Sequence, residues 1–149
     1  MATMAIDDWR ITMMLADAAQ VSDGKLSVLG GGWQFIGSPQ SPYAVAIIVA
    51  VPWTETNKRH RLSVALHDSD GNPVRLGTEE SGADAQAIAF TAEFEIGRPP
   101  GFKPGTSLNV PLAFSMGPSR MPAGRYEWSC TVDGSAPRGD WKLAFEIRL

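Results

Sequence analysis

The C-terminal part of the chain alternates apolar and polar residues with a period of two, and this feature constrains the fold most. The alternation follows a turn at residues 122–124 and is interrupted by a second turn at Asp133 and Gly134. Its apolar positions are Tyr126, Trp128, Cys130, Val132, Trp141, Leu143, Phe145 and Ile147. Successive side chains of a strand point to opposite faces, so these residues share one face of two paired strands. The pattern predicts a β-hairpin with one buried face.

Similar strand patterns, separated by Gly, Pro, Asp and Asn turns, recur upstream. Strands are predicted at residues 11–18, 26–36, 44–51, 59–68, 88–96 and 108–116. A short edge strand followed by a mobile acidic loop is predicted from residue 74 to residue 82, and a helical turn at 85–89. The run at 44–51 is continuously apolar, which predicts a strand covered on both faces. Pro111 predicts a sheet edge for the strand at 108–116, because proline cannot donate a ladder hydrogen bond. The chain is therefore predicted to be all-β: a single antiparallel β-sandwich, immunoglobulin-like or jelly-roll, of seven to eight strands.

Length and composition favour one globular domain. A chain of 149 residues with 44% hydrophobic and 19% charged residues can bury a core without disulfides or metals. We expect a flexible N-terminal arm at residues 1–9 and one sandwich domain at residues 10–149. No secretory signal or membrane-length apolar run is evident, which predicts a cytoplasmic protein, or a virion-associated one if phage-encoded, without membrane contact.

The net charge of −3 disfavours nucleic acid as a partner, since phosphate binding is driven by clustered Lys and Arg. The basic cluster at residues 58–61 contains no aromatic residue and is interpreted as a solvated strand start. Gly30, Gly31 and Gly32 lack the Lys-Ser/Thr pair of a phosphate loop and predict a bulge or tight bend.

Residue types with catalytic or metal-binding chemistry are few. Cys130 is the one cysteine, and its position on the apolar face predicts a buried, inert thiol. His60 and His67 lack a neighbouring nucleophile motif or zinc spacing and are interpreted as surface histidines. Residues 68–73 crowd carboxylates as a calcium loop does, but the Asp-Gly-Asn-Pro chemistry favours a turn.

Glu93 and Glu95 share a strand face, where paired carboxylates favour solubility over glycoside hydrolysis. We therefore predict no enzyme activity, no catalytic or metal-binding residues and no cofactor.

Two aromatic residues in loops stand apart from the strand pattern. Trp53 follows Pro52 at a strand exit, and Phe102 lies in the Pro- and Gly-rich loop at residues 97–105. Exposed aromatic side chains supply large contact area for few rotatable bonds. The candidate interaction loops are assigned to Trp53, Arg98, Phe102 and Lys103; the alternative is that these loops fold back and cap the sandwich.

A family resemblance rests on the segments MLADAAQ (14–20), GKL (24–26), LGGGW (29–33), VPW (51–53) and FEIGRPPG (94–101). With these segments the chain is similar, over residues 11–148, to a family of small uncharacterised proteins found mainly in actinobacteria and some of their phages. The resemblance implies no known chemistry and no functional residues. The C-terminal hairpin also resembles the last two strands of immunoglobulin-like domains, without their disulfide partner.

Two function hypotheses follow. The first is a non-enzymatic interaction or structural module that contacts a protein partner or itself as a homo-oligomer, for example as an accessory component of a phage particle. The second is a small-ligand or carbohydrate-binding sandwich, with weak hydrolysis as an option, that uses Trp33, Trp53 or Trp128 as a stacking platform.

Overall fold

The computed structural model describes residues 8–76, 86–135 and 141–149. Its strands in chain order are β1 Arg10–Ser22, β2 Lys25–Gly31, β3 Phe35–Gly37, β4 Tyr43–Val51, β5 His60–Asp68, β6 Arg75–Leu76, β7 Gln86–Ala87, β8 Ala89–Phe94, β9 Leu108–Met116, β10 Gly124–Val132 and β11 Lys142–Arg148. A single-turn 3-10 helix, Trp53–Glu55, connects β4 to β5. The all-β prediction is confirmed.

Nine of these strands form two main sheets. The four-stranded sheet has the order β2-β1-β4-β9, and the five-stranded sheet has the order β3-β11-β10-β5-β8. In the described part of the chain β6 and β7 pair only with each other. The predicted total of seven to eight strands is therefore too low. The prediction of purely antiparallel pairing is also wrong in one place, because β3 pairs with β11 in parallel.

The region predicted as one broken strand at residues 26–36 is two strands in different sheets. β2 ends at Gly31, and the chain crosses to the five-stranded sheet, where Glu146 N donates to Gln34 O at 2.9 Å. Trp33 anchors the crossing by packing edge-on against Tyr43 and Phe145. This crossing carries the chain into β3 and so produces the parallel pairing with β11.

Both sheets contribute to one hydrophobic core. The C-terminal hairpin is confirmed: β10 pairs with β11 antiparallel, and Tyr126, Trp128, Cys130 and Val132 are buried at alternate positions. Rings from the two sheets meet across the core, with centroids 6.2 Å apart for Tyr43 and Phe145 and 5.2 Å for Phe90 and Phe114. Alternation along each strand thus directs one apolar face inward, where its burial supplies the main stabilisation of the fold.

The buried strand and the edge strand are also confirmed. Residues 43–47 of β4 are all buried, as the continuous apolar run predicted. β9, which contains Pro111, is the last strand of its sheet. The short edge strand predicted after residue 74 is found as the two residues of β6, and the acidic loop predicted after it lies at residues 77–85, outside the described part. Residues 86–87 and 89–94 are strands, so the helical turn predicted at 85–89 is wrong.

The β1–β2 hairpin is curled. β1 pairs with β4 over residues 10–16 and with β2 over residues 16–22, so the distal half of the hairpin extends beyond β4. Leu26 and Val28 nevertheless line a shallow depression together with Met14 and Ala46. The hairpin therefore bends towards the outer face of the four-stranded sheet, which accounts for Ala46 being only 2% exposed on that face.

Of the arm predicted at residues 1–9, residues 1–7 lie outside the described part. Trp9 is 2% exposed and packs edge-on against His60 and Phe94, with ring centroids 4.9 and 6.3 Å away. It is therefore part of the core. Among the described residues, no helix has the length and apolar character needed to cross a membrane.

Candidate functional site

Trp53 and Arg98, two of the four predicted interaction residues, are brought together. The guanidinium carbon of Arg98 lies 4.2 Å from the centre of the Trp53 ring. Arg98 also donates to Thr56 Oγ1 at 2.6 Å and to the Trp53 carbonyl at 2.7 Å. A cation stacked on an indole and held by two hydrogen bonds has a defined position. This pair therefore ties the β8–β9 loop to the β4–β5 connection within the chain.

Phe102 and Lys103 remain at the surface of the same loop. Phe102 is 47% exposed, and the Lys103 carbonyl accepts from Thr106 N at 3.1 Å. In the described residues no ring contact, ion pair or hydrogen bond joins either of them to Trp53 or Arg98. Trp53 also borders an open depression of about 370 Å³, whose other lining residues are Asp8, Arg10, Pro52, Thr54, Gly105 and Ser107. The role of Phe102 and Lys103 in an interface stays a prediction.

The largest group of exposed apolar side chains lies on the β1–β2 hairpin, which the sequence interpretation did not identify as a surface. The described residues contain seven exposed large hydrophobic side chains, and four of them are on this hairpin: Met14, Val21, Val28 and Leu29. We call these four residues the hairpin patch. Leu29 is 71% exposed, more than any of them except the C-terminal Leu149. The sequence did carry a sign of this surface: residues 25–32 contain three apolar residues and three glycines but only one charged residue.

A polar depression of about 500 Å³ lies on the outer face of the five-stranded sheet. It is lined by His67, Asp68, Ser69, Gly71, Arg125, Tyr126, Glu127, Ser129 and Lys142. Ser129 Oγ lies 3.4 Å from His67 Nδ1, and Glu127 is the ladder partner of His67. A hydroxyl, an imidazole and charges of both signs can bind a polar small molecule. His67 is half-buried on this outer face.

His60 is buried, so its interpretation as a surface histidine is wrong. Its side chain is 4% exposed because it shares the inward parity of Leu62 and Val64 on β5. Nδ1 lies 2.7 Å from Asp133 Oδ2 and Nε2 lies 2.8 Å from the Glu55 carbonyl. Since a carbonyl oxygen can only accept, Nε2 donates there. The imidazole connects the turn after β10 to the 3-10 helix and acts as a structural link.

Cys130 is a buried thiol, as predicted. It is 1% exposed, and burial raises its pKa to about 12, so the reactive thiolate is absent at neutral pH. Burial also raises the pKa of the Tyr43 phenol to about 12, and the nearby Trp128 indole opposes this shift to a smaller extent. Tyr43 Oη and Trp128 Nε1 both lack a well-oriented hydrogen-bond partner among the described residues.

Two of the three tryptophans named as stacking platforms are covered. Trp128 is fully buried, and Trp33 packs against Tyr43 and Phe145 at the crossing between sheets. Only Trp53 has an open depression beside it, and Arg98 occupies one face of its ring.

Two of the carboxylates singled out in the sequence, those of Glu93 and Asp68, have intramolecular partners. Glu93 lies 3.8 and 3.7 Å from the guanidinium groups of Arg59 and Arg61. Asp68 Oδ1 accepts from Asp70 N and Asn72 N, which confirms the turn at residues 68–73. Within the described ranges, no three His, Cys, Asp or Glu side chains converge into a metal-binding group.

Comparison with known proteins locates this fold in a family without assigning it an activity. Residues 11–144 match the model of a family of unknown function, DUF6941. Neither curated proteins nor solved structures provide a match.

Proposed function

The chain belongs to the family of unknown function DUF6941, and we propose that it is a non-enzymatic interaction module that associates with itself. The observation that carries the proposal is the concentration of exposed apolar side chains in the hairpin patch: Val21 and Val28, 42% and 38% exposed, share one face of the hairpin, and Leu29, 71% exposed, lies on the other. Clustered exposed apolar side chains are typical of interaction sites, whereas single ones are ordinary on protein surfaces. We propose the narrower architecture of a β-sandwich because two sheets enclose one core.

We further propose that the protein is an accessory component of a larger assembly such as an actinobacterial phage particle, in the cytoplasm or on the virion. This setting is supported by the resemblance of residues 14–33 and 94–101 to small proteins of actinobacteria and their phages. Capsid and tail genes beside the gene of this protein would support that setting, and metabolic genes would contradict it.

Sedimentation equilibrium at several concentrations tests the self-association. We expect a mass above that of the 16.0 kDa chain at high protein concentration. Leu29→Lys should return the mass to that of the monomer, because it places a charge in the hairpin patch. Phe102→Lys tests the competing loop surface in the same way. A wild-type protein that stays at 16.0 kDa at all concentrations would overturn the proposal.

A second candidate function, small-ligand binding, is favoured by the polar depression around His67 and Ser129. A ligand that binds only the folded state raises the unfolding temperature. We expect sugars or divalent cations at millimolar concentration to raise it for the wild type, and not for a Ser129→Ala, His67→Ala double variant. No shift with any of them would exclude this candidate.

A further inference from the structure

The outer edge of β2 has no partner in the described part of the chain. β2 is the terminal strand of the four-stranded sheet and pairs only with β1. The backbone N–H and C=O groups on the other edge of a terminal strand are available to another strand. Beyond Ala16, β1 likewise has β2 as its one ladder partner. The distal half of the hairpin is therefore a pair of strands, which bends towards the outer face of the four-stranded sheet.

The other three sheet edges are each protected. Pro111 interrupts the donor row of β9, and β3 is only three residues long with Arg148 stacked over Phe35 at 4.2 Å. At β8, Glu93 places a charge on the edge strand and is held by Arg59 and Arg61 from the neighbouring β5 side. Proline, shortness and charge are the devices by which proteins block edge-to-edge pairing. β2 has seven residues and no proline, and its one charge, Lys25, stands at the end of the strand, so most of its edge lacks these devices.

From this edge we infer that a second copy of the chain adds to the sheet by antiparallel pairing of β2 with β2 about a two-fold axis. The inference rests on the proposed function and names its interface. With the axis at Val28, the central residue of the strand, Val28 faces Val28 of the partner and Ser27 faces Leu29. The regular ladder ends at Gly30, whose φ of +62 bends the strand.

This register is self-complementary. Leu29, the large side chain next to the axis, lies opposite Ser27, so the close approach of the two strands meets no steric obstacle there. The two Lys25 residues lie at opposite ends of the joint, about 20 Å apart at the ordinary rise per residue, so like charges do not meet. The same contact brings the two copies of Val28 together and partly covers Leu29. Self-pairing thus gives the backbone groups of the β2 edge hydrogen-bond partners and buries apolar surface in the same contact.

Disulfide trapping tests the register. Val28→Cys places two thiols directly opposite each other at the axis, where the Cα separation of an antiparallel pair suits a disulfide. We expect mild oxidation to convert most of this variant into a covalent dimer of twice the 16.0 kDa mass. Leu26→Cys is the matched control, because its two copies lie about 13 Å apart and cannot be bridged. Wild type is the second control, since Cys130 is only 1% exposed.

A charge test on reduced protein complements the trapping. Leu29→Lys should weaken association at least tenfold, whereas Leu149→Lys adds the same charge at a fully exposed terminus and should leave it unchanged. If wild type associates but Val28→Cys is not trapped faster than Leu26→Cys, the β2 register is wrong while the proposed function stands. If wild type is monomeric throughout, the proposed function itself fails.

Discussion

His60 is the residue whose surroundings differ most from the sequence interpretation. A histidine beside Arg59 and Arg61 resembles part of a solvated basic cluster, and sequence alone does not show where β5 begins. Because β5 begins at His60, its parity directs the ring inward, and Asp133, 73 residues away along the chain, supplies the acceptor. Cys130, in contrast, was predictable because its alternation is unbroken on both sides.

Removing the Asp133 carboxylate should destabilise the fold. Asp133→Ala leaves His60 Nδ1 buried without its hydrogen-bond partner and removes the 2.9 Å bond from Arg61 N to Asp133 Oδ1. An unsatisfied buried polar group costs about 1–3 kcal/mol, so we expect a loss of that size in the free energy of unfolding measured with urea. Asp70→Ala, in the exposed turn after β5, should change it by less than about 0.5 kcal/mol. Equal losses for the two variants would contradict the structural role of His60.

Stability should decline at alkaline pH because of two buried groups. Burial raises the pKa of Cys130 and of Tyr43 to about 12. The folded chain therefore retains protons that the unfolded chain releases above pH about 9 for the thiol and about 10 for the phenol. The free energy of unfolding should fall by up to about 1.4 kcal/mol per pH unit per group between those values and 12.

Cys130→Ala and Tyr43→Phe together should flatten this decline. At pH 7, Tyr43→Phe alone should cost little, because the hydroxyl that it removes has no hydrogen-bond partner in the described structure. Urea unfolding from pH 7 to 11 measures both effects. An unchanged slope in the double variant would show that these groups are not the cause.

The β1–β2 hairpin curls where Gly30 takes a left-handed backbone conformation. Gly30 has φ +62, and the Asp17 carboxylate lies where a β-carbon would be. Gly30→Ala therefore combines left-handed backbone strain with displacement of Asp17, and we expect a loss of about 1–3 kcal/mol in the free energy of unfolding.

Gly24 provides the matched comparison. It also has positive φ, at +70, but nothing lies within 4 Å of an added β-carbon. Gly24→Ala should thus carry the backbone strain alone and cost about 1 kcal/mol. Urea unfolding of both variants isolates the Asp17 contact as the difference. A Gly24→Ala loss as large as that of Gly30→Ala would contradict this account of the curl.

Elements with local patterns were predictable from the sequence, and elements defined by long-range pairing were not. The β10–β11 hairpin joins two alternating runs across one short connection, so local periodicity was sufficient. Residues 26–36 are divided into β2 and β3 because the chain crosses between the sheets, and this crossing does not alter the alternation of apolar and polar residues in the sequence. For the same reason the parallel pairing of β3 with β11 and the closeness of Trp53 to Arg98 were not foreseen.

For the whole molecule, the arrangement of edges decides what it can do. Two sheets around one core leave four edges, of which β3, β8 and β9 are blocked and β2 is open. An open edge beside an exposed apolar patch favours association. Because β2 is already a strand within the chain, association does not have to order it and loses little conformational entropy there. The interaction surface is therefore assigned to the hairpin, while the Trp53–Arg98 contact stabilises the loops at residues 53–56 and 97–105.

Amide hydrogen exchange in dilute and concentrated solution tests this assignment most directly. If two copies pair through β2, its edge amides should exchange at least tenfold more slowly in the concentrated sample, while β9 amides keep the same rates. Leu29→Lys should abolish the difference. Equal β2 exchange rates at both concentrations, or slowing confined to residues 97–105, would contradict the assignment of the interface to the hairpin.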